Sequence, residues 1–121
     1  MSGDKIAIFT GSDAMAYTNL EFGGCGAIIG VANIAPKIAA TIFDGYRSGD
    51  LQSARDAQLR LLPLIEAIEI GRFPAGLKEA MKQIGVPVGD AKEPLPRLTD
   101  EEVRSLKRLL SQAGFRARDR A

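Results

Sequence analysis

The chain has 121 residues, room for one domain of ordinary size. It is 45% hydrophobic and 26% charged, the balance of a folding chain rather than a disordered one. Sixteen basic residues against fifteen acidic ones leave a formal charge of +1, without the basic excess of an electrostatic nucleic-acid binder, and the lack of histidine excludes His-dependent triads and nearly every ordinary zinc site.

Met1 to Asp4 leads into the short apolar run Ile6-Ala7-Ile8-Phe9 with an acid rather than a basic segment ahead of it, so no targeting signal is expected. Residues 5–9 form a short isoleucine-rich run that ends at once in Thr10-Gly11-Ser12-Asp13, which predicts a strand buried on both faces. Ser12 or Asp13 is placed to cap a helix beginning at Ala14, with Met15, Leu20 and Phe22 as its apolar members. Gly23-Gly24-Cys25-Gly26 ends that helix. It precedes a strand instead of joining a strand to a helix, so it fails as a dinucleotide loop. Cys25 is the lone cysteine, which forbids an internal disulfide, suits a reducing compartment and reads as a small packing residue.

Residues 27–32 predict a second buried strand. Asn33 is a candidate N-cap, with Pro36 in the first turn of a helix that ends at Ser48-Gly49. Beyond that point the pattern is helical. Asp50 caps a long segment in which Ala54, Ala57, Leu61, Leu64, Ile65 and Ile68 recur at helical spacing, with Pro63 expected to kink it. A break at residues 71–74 leads to a helix over 77–84, then to an extended connector over 85–98 carrying Pro87, Pro94 and Pro96. Thr99 and Glu102 stand at capping-box spacing ahead of a last helix with Val103, Leu106, Leu109, Leu110 and Ala113 as its apolar stripe. The acidic pair Glu101 and Glu102 fits that helix start better than acid–base chemistry. Residues 116–121 read as a fraying basic tail. No run approaches the length of a membrane span. The order strand, helix, strand, helix implies parallel pairing through helical crossovers, and two parallel strands do not make a sheet that stands alone.

Several of these segments, in this order and spacing, resemble the last third of the dihydrodipicolinate synthase and N-acetylneuraminate lyase family. They are Thr10-Gly11-Ser12-Asp13-Ala14, Gly23-Gly24-Cys25-Gly26-Ala27-Ile28-Ile29, Val31-Ala32-Asn33-Ile34-Ala35-Pro36 and Ser48-Gly49-Asp50-Leu51. Leu61-Leu62-Pro63-Leu64, Gly76-Leu77-Lys78 and Pro94-Leu95-Pro96 continue the likeness, which covers residues 5–115. The resemblance implies an α/β fold: the last two strand–helix units of a TIM (β/α)8 barrel over residues 1–48, a helical extension over 49–115 and a flexible tail over 116–121.

The same resemblance implies a class I aldolase or lyase that forms a Schiff base with a 2-oxo acid such as pyruvate and needs no cofactor. The family's imine-forming lysine and catalytic tyrosine come from the sixth and fifth strands, ahead of the part this sequence matches. The chain alone is therefore expected to be inactive, with no catalytic residue of its own. Lys5 stands at the wrong end of its strand for a barrel active site, and Lys37, Lys78 and Lys82 fall on helices as surface lysines. Gly11 is implied to approach the substrate through its backbone, with Asp13 beside it, although a tight turn capped by Asp13 explains the same residues. Ile28 is implied to form the apolar wall against the keto acid and is equally an ordinary core residue. Gly30 falls where sialic-acid lyases carry a serine, and Ala14 where they carry a glutamate, which argues against sialate lyase activity. The run over 26–33 and Phe73-Pro74-Ala75-Gly76-Leu77-Lys78 resemble the dihydrodipicolinate synthase and 4-hydroxy-2-oxoglutarate aldolase branch. Gly11, Asp13, Ile28 and Gly30 are the candidate substrate-binding residues. A cytoplasmic protein is expected, either self-associating or completed by another chain. The competing reading is a non-catalytic helical module that pairs through its exposed strands.

Overall fold

The computed structural model describes residues 6–115, so Lys5 and the expected tail over 116–121 lie outside the described residues. In chain order the elements are β1 (Phe9–Thr10), a 3-10 turn (Asp13–Met15), α1 (Ala16–Glu21), β2 (Gly26–Ala27), a second 3-10 turn (Gly30–Asn33), α2 (Pro36–Ser48), α3 (Leu51–Glu69), α4 (Ala75–Gln83) and α5 (Asp100–Gln112). The chain divides into two compact units, Met1–Leu61 and Leu62–Ala121, with the boundary inside α3 just ahead of Pro63. The proline is accommodated within a continuous helix, where it leaves the Leu59 carbonyl without its helical partner.

In the first unit β1 and β2 pair in parallel, Phe9 opposite Gly26 and Thr10 opposite Ala27, as the strand–helix order requires. The ladder is extended by Cys25 N–H to Ile8 O at 2.7 Å and by Ile28 N–H to Thr10 O at 2.9 Å. Both strands are shorter than the sequence predicts. The stretch expected as strand over 27–32 turns into a 3-10 turn at Gly30, because the Val31 N–H is taken by a side chain and Asn33 Nδ2 donates back to Gly30 O at 2.9 Å. Asn33 therefore closes this turn and does not cap α2, whose N-cap is Ala35 with Pro36 at the first helical position. Nor are the strands buried on both faces. Ile28 is 78% exposed and Phe9 53%, since among the described residues each strand has one neighbour, whereas Val31 is fully buried by its own chain.

The first helix also differs from expectation. Asp13–Met15 forms a 3-10 turn without a side-chain cap, and α1 starts at Ala16. Ala16, Tyr17 and Leu20 are its buried face, while Met15 and Phe22 are exposed. Cys25 is exposed and is not a packing residue. A Cβ at Gly24 would displace the Asn19 side chain, which donates to Gly26 O at 2.9 Å and ties α1 to β2. Helix α2 stops at Gly49, whose left-handed φ of 83° suits glycine. Asp50 accepts from Ser53 N–H at 3.1 Å and so caps α3 as the sequence indicates. Ile34, Ile42, Ala54 and Leu61 complete this core with Val31.

The second unit holds the last turns of α3, with α4 packed on α5. Leu64, Ala67, Ile68, Ala80 and Leu106 are its fully buried members. Thr99 and Glu102 form the reciprocal capping box, Glu102 N–H to Thr99 Oγ1 at 3.2 Å and Thr99 N–H to Glu102 Oε2 at 2.8 Å. Among the described residues no helix is long and apolar enough to cross a membrane.

Candidate functional site

Parallel pairing puts the C-terminal ends of β1 and β2 side by side, and both ends run into loops. Gly11 leaves β1 and Ile28 leaves β2, held together by the Ile28 N–H to Thr10 O bond. Gly11 is exposed, and no heavy atom lies within 4 Å of where its Cβ would stand, so its backbone is open to a ligand. Ile28 is exposed beside it, and Gly30 opens the turn that follows. Thr10 Oγ1 accepts from Ser12 N–H at 3.1 Å and tightens the first loop.

Asp13 does not cap the helix after it. Its Oδ1 accepts from the N–H of Val31, across the two loops, at 2.6 Å. The sequence places Asp13 next to a helix start, where capping is the local use of an aspartate, and a partner eighteen residues on is invisible to that rule. All four candidate residues thus gather at one end of the strand pair: Gly11 and Ile28 open, Asp13 and Gly30 half-buried.

A second set of residues supports the first loop from α3. Gln58 Oε1 accepts from Tyr17 N–H at 2.9 Å, and its Nε2 donates to Asp13 O at 3.1 Å. Tyr17 OH donates to Glu21 Oε1 at 2.7 Å and accepts from Arg55 Nε at 2.9 Å, with Arg55 also 3.6 Å from Glu21. Burial raises the Tyr17 phenol above its ordinary value and the Glu21 bond adds to that, while Arg55 opposes both. Sequence reasoning missed Gln58. The available signal was a polar residue on the inner side of α3, four residues after Ala54 and adjacent to Ala57, both buried.

An apolar cavity of about 370 Å³ is walled by Phe9, Leu20, Cys25, Ile29, Ile42 and Phe43, and none of the four candidates lines it. In the second unit a cleft of about 680 Å³ is lined by charged side chains. There Lys82 pairs with Glu79 at 3.8 Å and Arg97 with Asp90 at 2.7 Å. Among the described residues no cluster of three His, Cys, Asp or Glu side chains is placed to hold a metal ion.

A parallel strand pair with loops gathered at its C-terminal end, followed by helices, defines an α/β chain with its open site where such folds bind ligands. Comparison with known proteins gives the family: residues 1–113 match the dihydrodipicolinate synthetase family, and the chain belongs to it. It is 35% identical over 115 residues to a 4-hydroxy-tetrahydrodipicolinate synthase of Caldicellulosiruptor bescii, across 95% of this chain and 39% of that protein. A solved dihydrodipicolinate synthase superposes with a TM-score of 0.84 at 32% identity, over 92% of this chain and 38% of that one. The Acinetobacter baumannii enzyme, solved in complex with pyruvate, matches with a TM-score of 0.84 at 26% identity, over 92% and 38%. The chain thus spans 38–39% of the length of these relatives.

Proposed function

We propose that this chain is the C-terminal part of a Schiff-base-forming 2-oxo-acid lyase, supplying the last two strand–helix units of a (β/α)8 barrel and the helical extension after them. The observation that carries the reading is the meeting of Gly11 and Ile28 at one end of the parallel strand pair, in a chain of this family. In such a lyase a lysine amine adds to the ketone carbon of the keto acid and water leaves. In cleavage the protonated imine accepts the electron pair of the carbon–carbon bond that breaks, leaving an enamine. In the reverse direction the imine first loses a proton from the adjacent carbon, and the electron pair of the resulting enamine forms the new bond.

In this reading the lysine and the tyrosine belong to earlier strand–helix units, outside the span matched here. What this chain contributes is binding. The Gly11 backbone approaches the keto acid, Ile28 forms an apolar wall that disfavours the charged ammonium and so keeps the amine nucleophilic, and Asp13 and Gly30 shape the adjoining loops. Pyruvate is the favoured keto acid, on the strength of the A. baumannii relative solved with it. A cytoplasmic location goes with the reading, as does self-association or completion by another chain.

Borohydride trapping with pyruvate tests it. The 121-residue chain alone is expected to give no covalent adduct, because Lys37 and Lys82 are exposed on helices and Lys78 Nζ lies 3.5 Å from Val88 O in the second unit. Mixing with a polypeptide carrying the first six strand–helix units of a relative should restore trapping, on the partner's lysine. An adduct on any lysine of this chain, or a stable complex that traps nothing, would overturn the proposal.

The exposure of Ile28, Ile8 and Phe9 favours a second reading, a non-catalytic module that docks another chain through its strands. Each large apolar side chain left in water forgoes about 1.5 to 3 kcal/mol. Sedimentation of Ile28→Asp against Lys107→Asp tests the docking itself: loss of assembly confined to Ile28→Asp supports docking through the strands, and equal masses for both variants exclude it.

A further inference from the structure

We propose that Asp13 and Gln58 are positioning residues that fix the spacing between the two loops of the candidate site, with the Asp13 carboxylate directed at the protein backbone rather than at a substrate. The functional meaning rests on the lyase reading above; the geometry does not.

The strand ladder ends at the Ile28 N–H to Thr10 O bond, and beyond it the loops carrying Gly11 and Gly30 have no further backbone bond between them among those described. The bond from Val31 N–H to Asp13 Oδ1, at 2.6 Å, is what joins them there. It is charge-assisted, and hence among the stronger hydrogen bonds a backbone amide makes. Val31 is fully buried, so its N–H has no recourse to water if the carboxylate is removed.

The carboxylate holds that position only if its own turn is held. Asp13–Met15 is three residues long, and Ser12 offers it no side-chain cap. The missing support comes from α3. Gln58 takes the Tyr17 N–H at the start of α1 and returns a donor to the Asp13 carbonyl, clasping the turn at both ends. This needs an acceptor and a donor on one planar group, which an amide has and a carboxylate lacks. The chain of bonds from α3 through Gln58 and Asp13 to Val31 lies wholly within the first compact unit.

Amide hydrogen exchange on the isotope-labelled 121-residue chain tests this. Asp13→Ala should speed exchange at Val31 by about tenfold or more, and Asp13→Asn, which keeps an acceptor, should recover most of the protection. Gln58→Glu keeps the acceptor for Tyr17 and loses the donor for Asp13. It should leave the Tyr17 amide protected yet speed exchange at Val31, a residue it does not touch. Ala67 and Ile68 in the second unit should keep their wild-type rates in all three variants. Unchanged exchange at Val31 in Gln58→Glu would overturn the proposal, as would acceleration of Val31, Ala67 and Ile68 by one common factor. Should Asp13→Ala fail to fold, Gln58→Glu carries the decision by itself. A negative pyruvate-trapping result leaves these rates untouched, so the lyase reading and the positioning role fail separately.

Discussion

Adding one methyl group at Gly76 should cost the second unit much of its stability, while the same change at Gly11 should cost nothing. Gly76 is the second residue of α4. A Cβ built there would lie 2.5 Å from Ile70 O, 2.6 Å from Ile68 O and 2.9 Å from Ile68 C. All three are backbone atoms where the chain leaves α3, so no side chain can swing aside to relieve the overlap. Overpacking typically costs about 1 to 3 kcal/mol, and contact with backbone puts Gly76→Ala at the upper end. The better helix propensity of alanine returns at most about 1 kcal/mol, for a net loss of about 2 kcal/mol. With a urea dependence of about 1 to 2 kcal/mol per molar for a chain of this size, the midpoint should fall by about 1 to 2 M. Helical circular dichroism against urea reads this directly. Gly11 is the control: its Cβ would meet nothing within 4 Å and its φ is not positive, so Gly11→Ala should be neutral or stabilising by about 0.4 to 1 kcal/mol. Coincident midpoints for Gly76→Ala and the unaltered chain would refute the reasoning. A large loss at Gly11 would refute the claim that its backbone stands open.

Thr99→Ala should remove one half of the capping box and lower stability by about 1 kcal/mol, with amide exchange speeding up first at Glu102 and Val103. Hydrogen bonds from the Ser53 side chain and its backbone N–H hold the Asp50 carboxyl below the usual aspartate range. Its contribution to the first turn of α3 is therefore complete above the unfolded aspartate pKa and is lost as pH falls through the lower folded value. A carbon-detected titration of Asp50 should show that depressed midpoint, and Asp50→Asn should abolish the matching acid-induced change at the Ser53 amide.

What was legible in the sequence is what depends on residues a few places apart. Thr99 and Glu102 announce their helix because a capping box closes over three residues, and Pro36 and Gly49 delimit α2 because each is suited to one backbone position. The stripe Ala54, Ala57, Leu61, Leu64, Ile68 is buried as its spacing indicates. Strand lengths were not legible in the same way. A strand extends only as far as a neighbour offers bonds, and β1 and β2 have one neighbour each among the described residues, so an apolar run of five or six residues yields two paired positions. The exposure of Ile28 has the same origin, since its composition says "buried strand" and only tertiary partners can make it so.

Asp13 and Gln58 mark where local rules stop for the candidate site. A side chain beside a helix start is assigned to that helix by default, but the Asp13 carboxylate crosses to Val31, and a half-buried glutamine on a helix looks like a solvated residue until its two partners are known. All three bonds connect residues far apart in sequence, and all are made within this chain. The consequence for the proposed lyase is an asymmetry between the parts of the site. The spacing of the loops at Gly11 and Gly30 is set by hydrogen bonds the chain already contains, so it needs nothing further to form. The apolar wall at Ile28 is 78% exposed, and water there would stabilise an ammonium rather than keep a lysine neutral. Loop geometry can therefore be measured on this chain by itself, whereas the desolvation that makes an imine-forming amine nucleophilic requires Ile28 to be covered by another part of the fold.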